Sequence, residues 1–129
     1  MTRFSTDLPA GNGAPATARR ALAEHLPSEV ADKVGATLRL LVSELVTNSV
    51  RHAGTQHDGD VRMDVDVRRD RIRVAVRDTG GGFVATKPKP RGADGGYGLF
   101  LVEKMAQRWG IEGNGETCVW FELDLREAA

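Results

Sequence analysis

Glu44 and Asn48 lie four positions apart in the stretch LRLLVSELVTNSVRHA, residues 38–53. Residues at this spacing project from the same side of an α-helix, so a carboxylate and a carboxamide would stand one turn apart. A side-chain carbonyl oxygen is an accepted ligand of Mg²⁺ beside water and phosphate oxygens. A neighbouring carboxylate can orient or deprotonate a nucleophile. The pair is typical of a metal-assisted site, although two polar residues beside a buried stripe would have the same spacing.

A second candidate is the turn Asp78-Thr79-Gly80-Gly81-Gly82. A carboxylate here can accept a hydrogen bond from the exocyclic amine of adenine, and glycines let the backbone approach the base. An ordinary Asp-Thr-Gly turn has the same composition, so both interpretations stay open.

The third candidate is Gly96-Tyr97-Gly98-Leu99, directly before an apolar periodic segment. Free amides at the start of a helix bind phosphate groups. The segment is not a dinucleotide fingerprint, because the third glycine is absent and no parallel βαβ unit surrounds it.

The element that must position Glu44 and Asn48 is a long helix. It is predicted to begin after an N-cap at Ser28 and to end near His52. Its buried stripe follows the i, i+3, i+4, i+7 spacing and consists of Leu38, Leu41, Val42, Leu45, Val46 and Ser49.

The remaining elements follow from periodicity and turn residues. We predict a strand at 3–8, a helix at 16–26, a hairpin at 61–77, a helix at 99–108 and a last hairpin of 109–112 with 117–125. The arginines of the first hairpin indicate a charged, solvated face rather than a nucleic-acid site. Residues 79–96 are rich in glycine and proline and are predicted to form a lid. This order predicts an α+β fold, a two-layer sandwich of a mixed, antiparallel-rich sheet with helices on one face.

Composition narrows the class of protein. The 129 residues suffice for one domain, 1–129, and 18 basic residues balance 18 acidic ones, so no global field favours nucleic acid or a membrane. The single cysteine, Cys118, is expected to be buried and inert. The N-terminal residues lack the apolar core of a signal peptide and no apolar run is long enough to span a bilayer, so we expect a cytoplasmic location.

Taken in order, the three candidates resemble the nucleotide-binding boxes of the GHKL ATPases, which share the Bergerat-type ATP-binding fold. The resemblance covers about residues 16–125. The phrases ELVTNSVRHA, DTGGGF, GLFLVEKMAQRWG and CVWFELDL are most similar to the small stand-alone branch, the RsbW-type anti-sigma-factor serine kinases and related actinobacterial ATP-binding regulators.

The resemblance implies ATP and Mg²⁺ as cofactors and gives each box residue a role. Asn48 matches the magnesium-binding asparagine, and Glu44 matches the glutamate that acts as general base in members that hydrolyse ATP or transfer phosphate. Asp78 matches the aspartate that binds adenine. The other nucleotide-binding positions are Gly80, Gly82, Gly96, Gly98 and Leu99.

The implied function is that of a Mg·ATP-dependent protein serine kinase and anti-sigma factor in a partner-switching pathway. Its partners would be a sigma factor and a small STAS-type antagonist, with a homodimer also implied and no direct contact to nucleic acid or membrane. In this branch the first helix helps form partner contacts, and here it carries Arg19 and Arg20.

One departure keeps an alternative open. Some of these kinases carry an arginine directly before the last glycine box, and here Arg91 is the nearest cation. The alternative is an ATP-binding interaction module that transfers no phosphate.

Overall fold

The computed structural model describes residues 2–8, 11, 13–53, 61–78, 97–113 and 117–125. They form three helices and five strands: β1 (Thr2–Leu8), α1 (Ala14–His25), α2 (Ser28–Ala53), β2 (Val61–Val67), β3 (Arg71–Asp78), α3 (Tyr97–Met105), β4 (Arg108–Gly113) and β5 (Thr117–Asp124). The predicted lid at 79–96 lies outside the described residues.

The strands form one sheet in the order β1-β2-β3-β5-β4, and all four pairings are antiparallel. The predicted α+β sandwich is therefore confirmed. Side chains alternate across the sheet, so one face of β2 is apolar and buried while the other carries Arg62, Asp64 and Asp66.

Helix α2 is the centre of the helical layer. It contacts α1, α3, β2 and β3. Its predicted stripe is confirmed, because all six side chains from Leu38 to Ser49 in that pattern are buried. The core is completed from the sheet, where Met63, Ile72 and Phe121 are fully buried.

Several predicted boundaries differ from the structure, most of them by one or two residues, and three of these differences have a local cause. Helix α1 begins at Ala14 rather than residue 16, because Pro15 in the first turn is already set to a helical φ. Ser28 is the first residue of α2 rather than its cap, and the Pro27 carbonyl accepts hydrogen bonds from the amides of Val30 and Ala31.

Helix α3 ends at Met105 rather than near Arg108. The Gln107 amide donates a hydrogen bond to the Glu122 carbonyl, and Arg108 is paired with β5. These residues therefore belong to the sheet, although the apolar periodicity predicts that the helix continues through them.

None of the helices in the described part of the chain combines the length and the apolar character needed to cross a membrane.

Candidate nucleotide-binding site

Glu44 and Asn48 lie on α2 beside its buried stripe, and both side chains are half-buried. Leu45 and Val46, in the same turns of α2, are buried on the side of the helix that faces the core. This arrangement follows from the 3.6-residue period, since the apolar residues fix the rotation of the helix about its axis. The carboxylate and the carboxamide are thus held at the edge of the core.

The turn that carries Glu44 is tied to its surroundings by two hydrogen bonds. The Thr47 hydroxyl donates to the Ser43 carbonyl at 2.7 Å, within α2. Arg19 Nη1, on α1, donates to the Ser43 hydroxyl at 3.0 Å. The second bond joins α1 to the residue directly before Glu44.

Asp78 is the last residue of β3 and is only 2% exposed. It has the same strand parity as the buried Ile72, Val74 and Val76, so it belongs to the face of the sheet that the helices cover. Because α2 packs on β3, Asp78 lies on the helix-facing side, in the same layer interface as the stripe of α2.

No buried side-chain nitrogen or oxygen among the described residues lacks a hydrogen-bond partner, Asp78 included. A carboxylate offers about four acceptor sites, so a partnered carboxylate can still accept a further N–H. Its burial makes it a strong acceptor, since little water competes for it.

The glycine boxes are described only in part. Gly80, Gly82 and Gly96 lie outside the described residues, whereas Gly98 is in the first turn of α3. Helix α3 begins at Tyr97, two residues before the predicted start at Leu99, so Gly98 lies inside the helix rather than before it. Leu99 is half-buried and packs against the core.

The predicted burial of Cys118 is confirmed, although this residue of β5 lies on the face of the sheet away from the helices, and burial raises the pKa of its thiol. Its raised pKa keeps it protonated at neutral pH, which agrees with an inert role.

The contact of Arg19 with Ser43 was not foreseen from the sequence. The two residues are 24 positions apart and lie on two different helices. A hydrogen bond between two helices cannot be predicted from the sequence of apolar and polar residues in either helix.

Comparison with known proteins identifies the family of the chain. Residues 8–123 match the family model of the histidine kinase-like ATPase domain. The chain belongs to this family.

Two curated relatives are serine-protein kinases named RsbW. The protein from Listeria innocua is 36% identical over 81 residues, which cover 53% of this chain and 52% of the relative. The protein from Bacillus velezensis is 29% identical over 111 residues, covering 71% of this chain and 69% of the relative. The chain thus spans about half the length of the Listeria relative. These matches confirm the resemblance to the RsbW-type branch of the GHKL ATPases.

Among solved structures, the fold is similar to the histidine kinase domain of the blue-light activated histidine kinase of Erythrobacter litoralis EL346. The TM-score is 0.57 at 24% identity, and the match covers 91% of this chain and 61% of that one. This likeness supports the fold.

Proposed function

We propose that residues 1–129 act as one ATP-binding domain with Mg·ATP-dependent protein serine kinase activity, and that this kinase is an anti-sigma factor in a partner-switching pathway. The observation that carries the proposal is the pairing of a half-buried Glu44 and Asn48 on α2 with a buried Asp78 at the end of β3, the strand on which α2 packs.

The residues present fit the nucleotide and the metal. Asp78 suits the exocyclic amine of adenine, because its carboxylate is almost excluded from water. No group of three or more His, Cys, Asp or Glu side chains in the described ranges is arranged to hold a metal. A Mg²⁺ ion held by Asn48 would therefore take most of its ligands from phosphate and water, as this ion commonly does. Gly80, Gly82, Gly96, Gly98 and Leu99 are proposed to complete the nucleotide site.

Bound Mg·ATP would supply the γ-phosphoryl group and the positive charge that stabilises its transfer. Glu44 would accept the proton of the acceptor serine hydroxyl while the serine oxygen bonds to the γ-phosphorus and the bond to the β,γ-bridging oxygen of ATP breaks. The products would be phosphoserine and ADP, with the proton released from Glu44 to water.

A protein acceptor is supported by the surface beside Glu44. Leu40 lies one turn earlier on α2 and is the exposed large hydrophobic side chain of the described residues. An apolar side chain beside the proposed base offers a contact that a protein substrate can bury. We propose that the substrate is a small STAS-type antagonist, that a sigma factor is the second partner, and that both meet the protein in the cytoplasm.

The test is incubation of the protein with γ-labelled ATP, Mg²⁺ and candidate antagonist proteins from the same genome. We expect label on one serine of one antagonist. A matched reaction with Glu44→Gln, which keeps the size of the side chain, should give none.

The second candidate function is an ATP-binding interaction module without phosphotransfer. It is favoured by Arg91 being the nearest cation before the last glycine box. ATP binding in calorimetry, together with no labelled protein in the assay, would select this function. Absence of nucleotide binding would contradict both.

A further inference from the structure

The sheet has a second face, which none of the described helices covers. We call it the open face. By strand register it carries three rows of side chains that cross all five strands. The first row is Arg3, Asp66, Arg73, Glu122 and Arg108; the middle row is Ser5, Asp64, Ala75, Trp120 and Gly110; the third row is Asp7, Arg62, Arg77, Cys118 and Glu112.

The rows form a trough. The outer rows carry long arginine side chains, whereas the middle row has short side chains over most of its length. The resulting concavity has a volume of about 430 Å³ and is lined by the short side chains of Ser5, Ala75 and Cys118 and by the long side chains of Arg62, Arg73 and Arg77.

Charge on the open face is layered. The arginine side chains Arg3, Arg62, Arg73, Arg77 and Arg108 are 40–74% exposed. The carboxylates between them are less exposed, at 31% for Asp64, 24% for Asp66 and 8% for Glu122. An approaching molecule therefore meets guanidinium groups first, and only the rim residues Asp7 and Glu112 are exposed acids of these rows.

The guanidinium groups are held in place from below. Asp64 accepts hydrogen bonds from Ser5 at 2.5 Å, from Arg62 Nε at 3.1 Å and from Arg77 Nε at 3.2 Å. Arg73 lies 4.1 Å from the centroid of the Trp120 ring and 3.5 Å from Glu122. A guanidinium has five N–H donors and binds a carboxylate in a planar fork, so arginines already ordered this way lose less side-chain entropy on binding.

We propose that the open face docks an acidic segment of a partner protein, whose Asp or Glu side chains enter this trough. The five arginines and five carboxylates of the three rows balance in formal charge, so a polyanion gains little long-range attraction. Binding to this face therefore requires direct contact between the ligand and the guanidinium groups. Nucleic acid fits less well, because five strands span about 20 Å and a duplex of that width would also meet the rim carboxylates Asp7 and Glu112.

The test uses a fluorescein-labelled peptide of alternating Glu and Ser, with a Gln/Ser peptide as the uncharged control. In fluorescence anisotropy at low salt, the wild type should bind the Glu peptide with a Kd below about 1 mM and the Gln peptide not measurably. The combined change Arg62→Gln and Arg77→Gln should weaken binding about tenfold or more. Arg39→Gln, which removes one positive charge from an exposed position on α2, should have no effect.

Circular dichroism verifies that the variants are folded. If the double variant does not fold, Ala75→Glu provides the test, since it keeps every arginine and places a carboxylate inside the trough. This variant should also abolish peptide binding.

Three results would overturn the proposal: no binding of the Glu peptide by the wild type, an equal loss with Arg39→Gln, or tighter binding of a single-stranded DNA of equal charge. A dimer in sedimentation that the folded variants dissociate would instead assign the face to a second copy of this chain.

Discussion

Asp78 is the residue on which base selectivity is expected to depend. Adenine presents an amine where guanine presents a carbonyl, which a buried carboxylate would repel. Because an unmatched buried polar pair costs about 1–3 kcal/mol, Asp78→Asn should weaken ATP binding about tenfold or more. Calorimetry with ATP, ADP and GTP measures this. Equal affinity of the wild type for GTP would contradict the adenine assignment.

Glu44 and Asn48 are expected to separate in their effects, although one turn of α2 carries both. Asn48→Ala should weaken Mg·ATP binding by removing a metal ligand. Glu44→Ala should leave nucleotide affinity nearly unchanged and lower phosphotransfer about 10²–10⁴-fold, because a general base acts mainly in the transition state. Titrations and initial rates on the same preparations separate the two. Undiminished turnover in Glu44→Ala would exclude the base role.

At the scale of elements, the hairpin of β4 and β5 depends on a close contact. A Cβ at Gly110 would lie 2.7 Å from the Trp120 ring, which is itself held under Arg73. Gly110→Ala should therefore displace the indole and lower the free energy of unfolding by about 1–3 kcal/mol. Gly13→Ala is the matched control, since a Cβ there meets no atom within 4 Å. An equal change in melting temperature in both variants would show that the close contact of Gly110 with Trp120 does not contribute to stability.

Helix α1 supports a second prediction at this scale. Arg20 is exposed on α1, and Arg19 on the same helix is bonded to Ser43. If α1 contributes to a partner interface, Arg20→Glu should weaken that complex and lower its association rate without changing ATP affinity. Arg69→Glu, in the turn between β2 and β3, is the control. Capture of the same partners from native lysate at the same salt tolerance would remove α1 from the interface.

The elements also show what sequence periodicity can predict. The stripe of α2 and the alternation of β2 were predicted because each pattern repeats within one element. The rows of the open face were not, because Arg3 meets Asp66 only through a register that joins residues 63 positions apart. For the same reason the sequence indicated the pair Glu44 and Asn48 and the single residue Asp78 as separate candidates, whereas the packing of α2 on β3 could not be predicted from either pattern.

At the scale of the whole molecule, the carboxylates of the open face should make the free energy of unfolding depend on pH. Burial acts to raise the pKa of Asp64, but hydrogen bonds from Ser5, Arg62 and Arg77 outweigh it and leave the pKa below its ordinary value of 3.8. The hydrogen bond from Arg68 lowers the pKa of Asp66 in the same way. A lowered folded-state pKa adds stability that is complete above the unfolded-state value and is lost as pH falls through the folded-state one.

Stability should therefore decline as pH falls below about 4. Asp64→Asn should be less stable than the wild type at neutral pH, and the difference should shrink on acidification. Urea unfolding followed by circular dichroism from neutral to acid pH measures both. A constant difference across this range would contradict the role of the ionised Asp64.

The order of strands in the sheet also has a consequence for synthesis on the ribosome. Strand β3 lies at the centre, and its second neighbour is β5, whose residues 117–124 are made last among the strands. A nascent chain that has emerged only as far as β3 can pair β1, β2 and β3, but one edge of β3 stays open until some forty further residues have followed. Open edges of apolar strands invite association between chains. We expect newly made chains to need protection by a chaperone during this interval, until β5 closes the sheet.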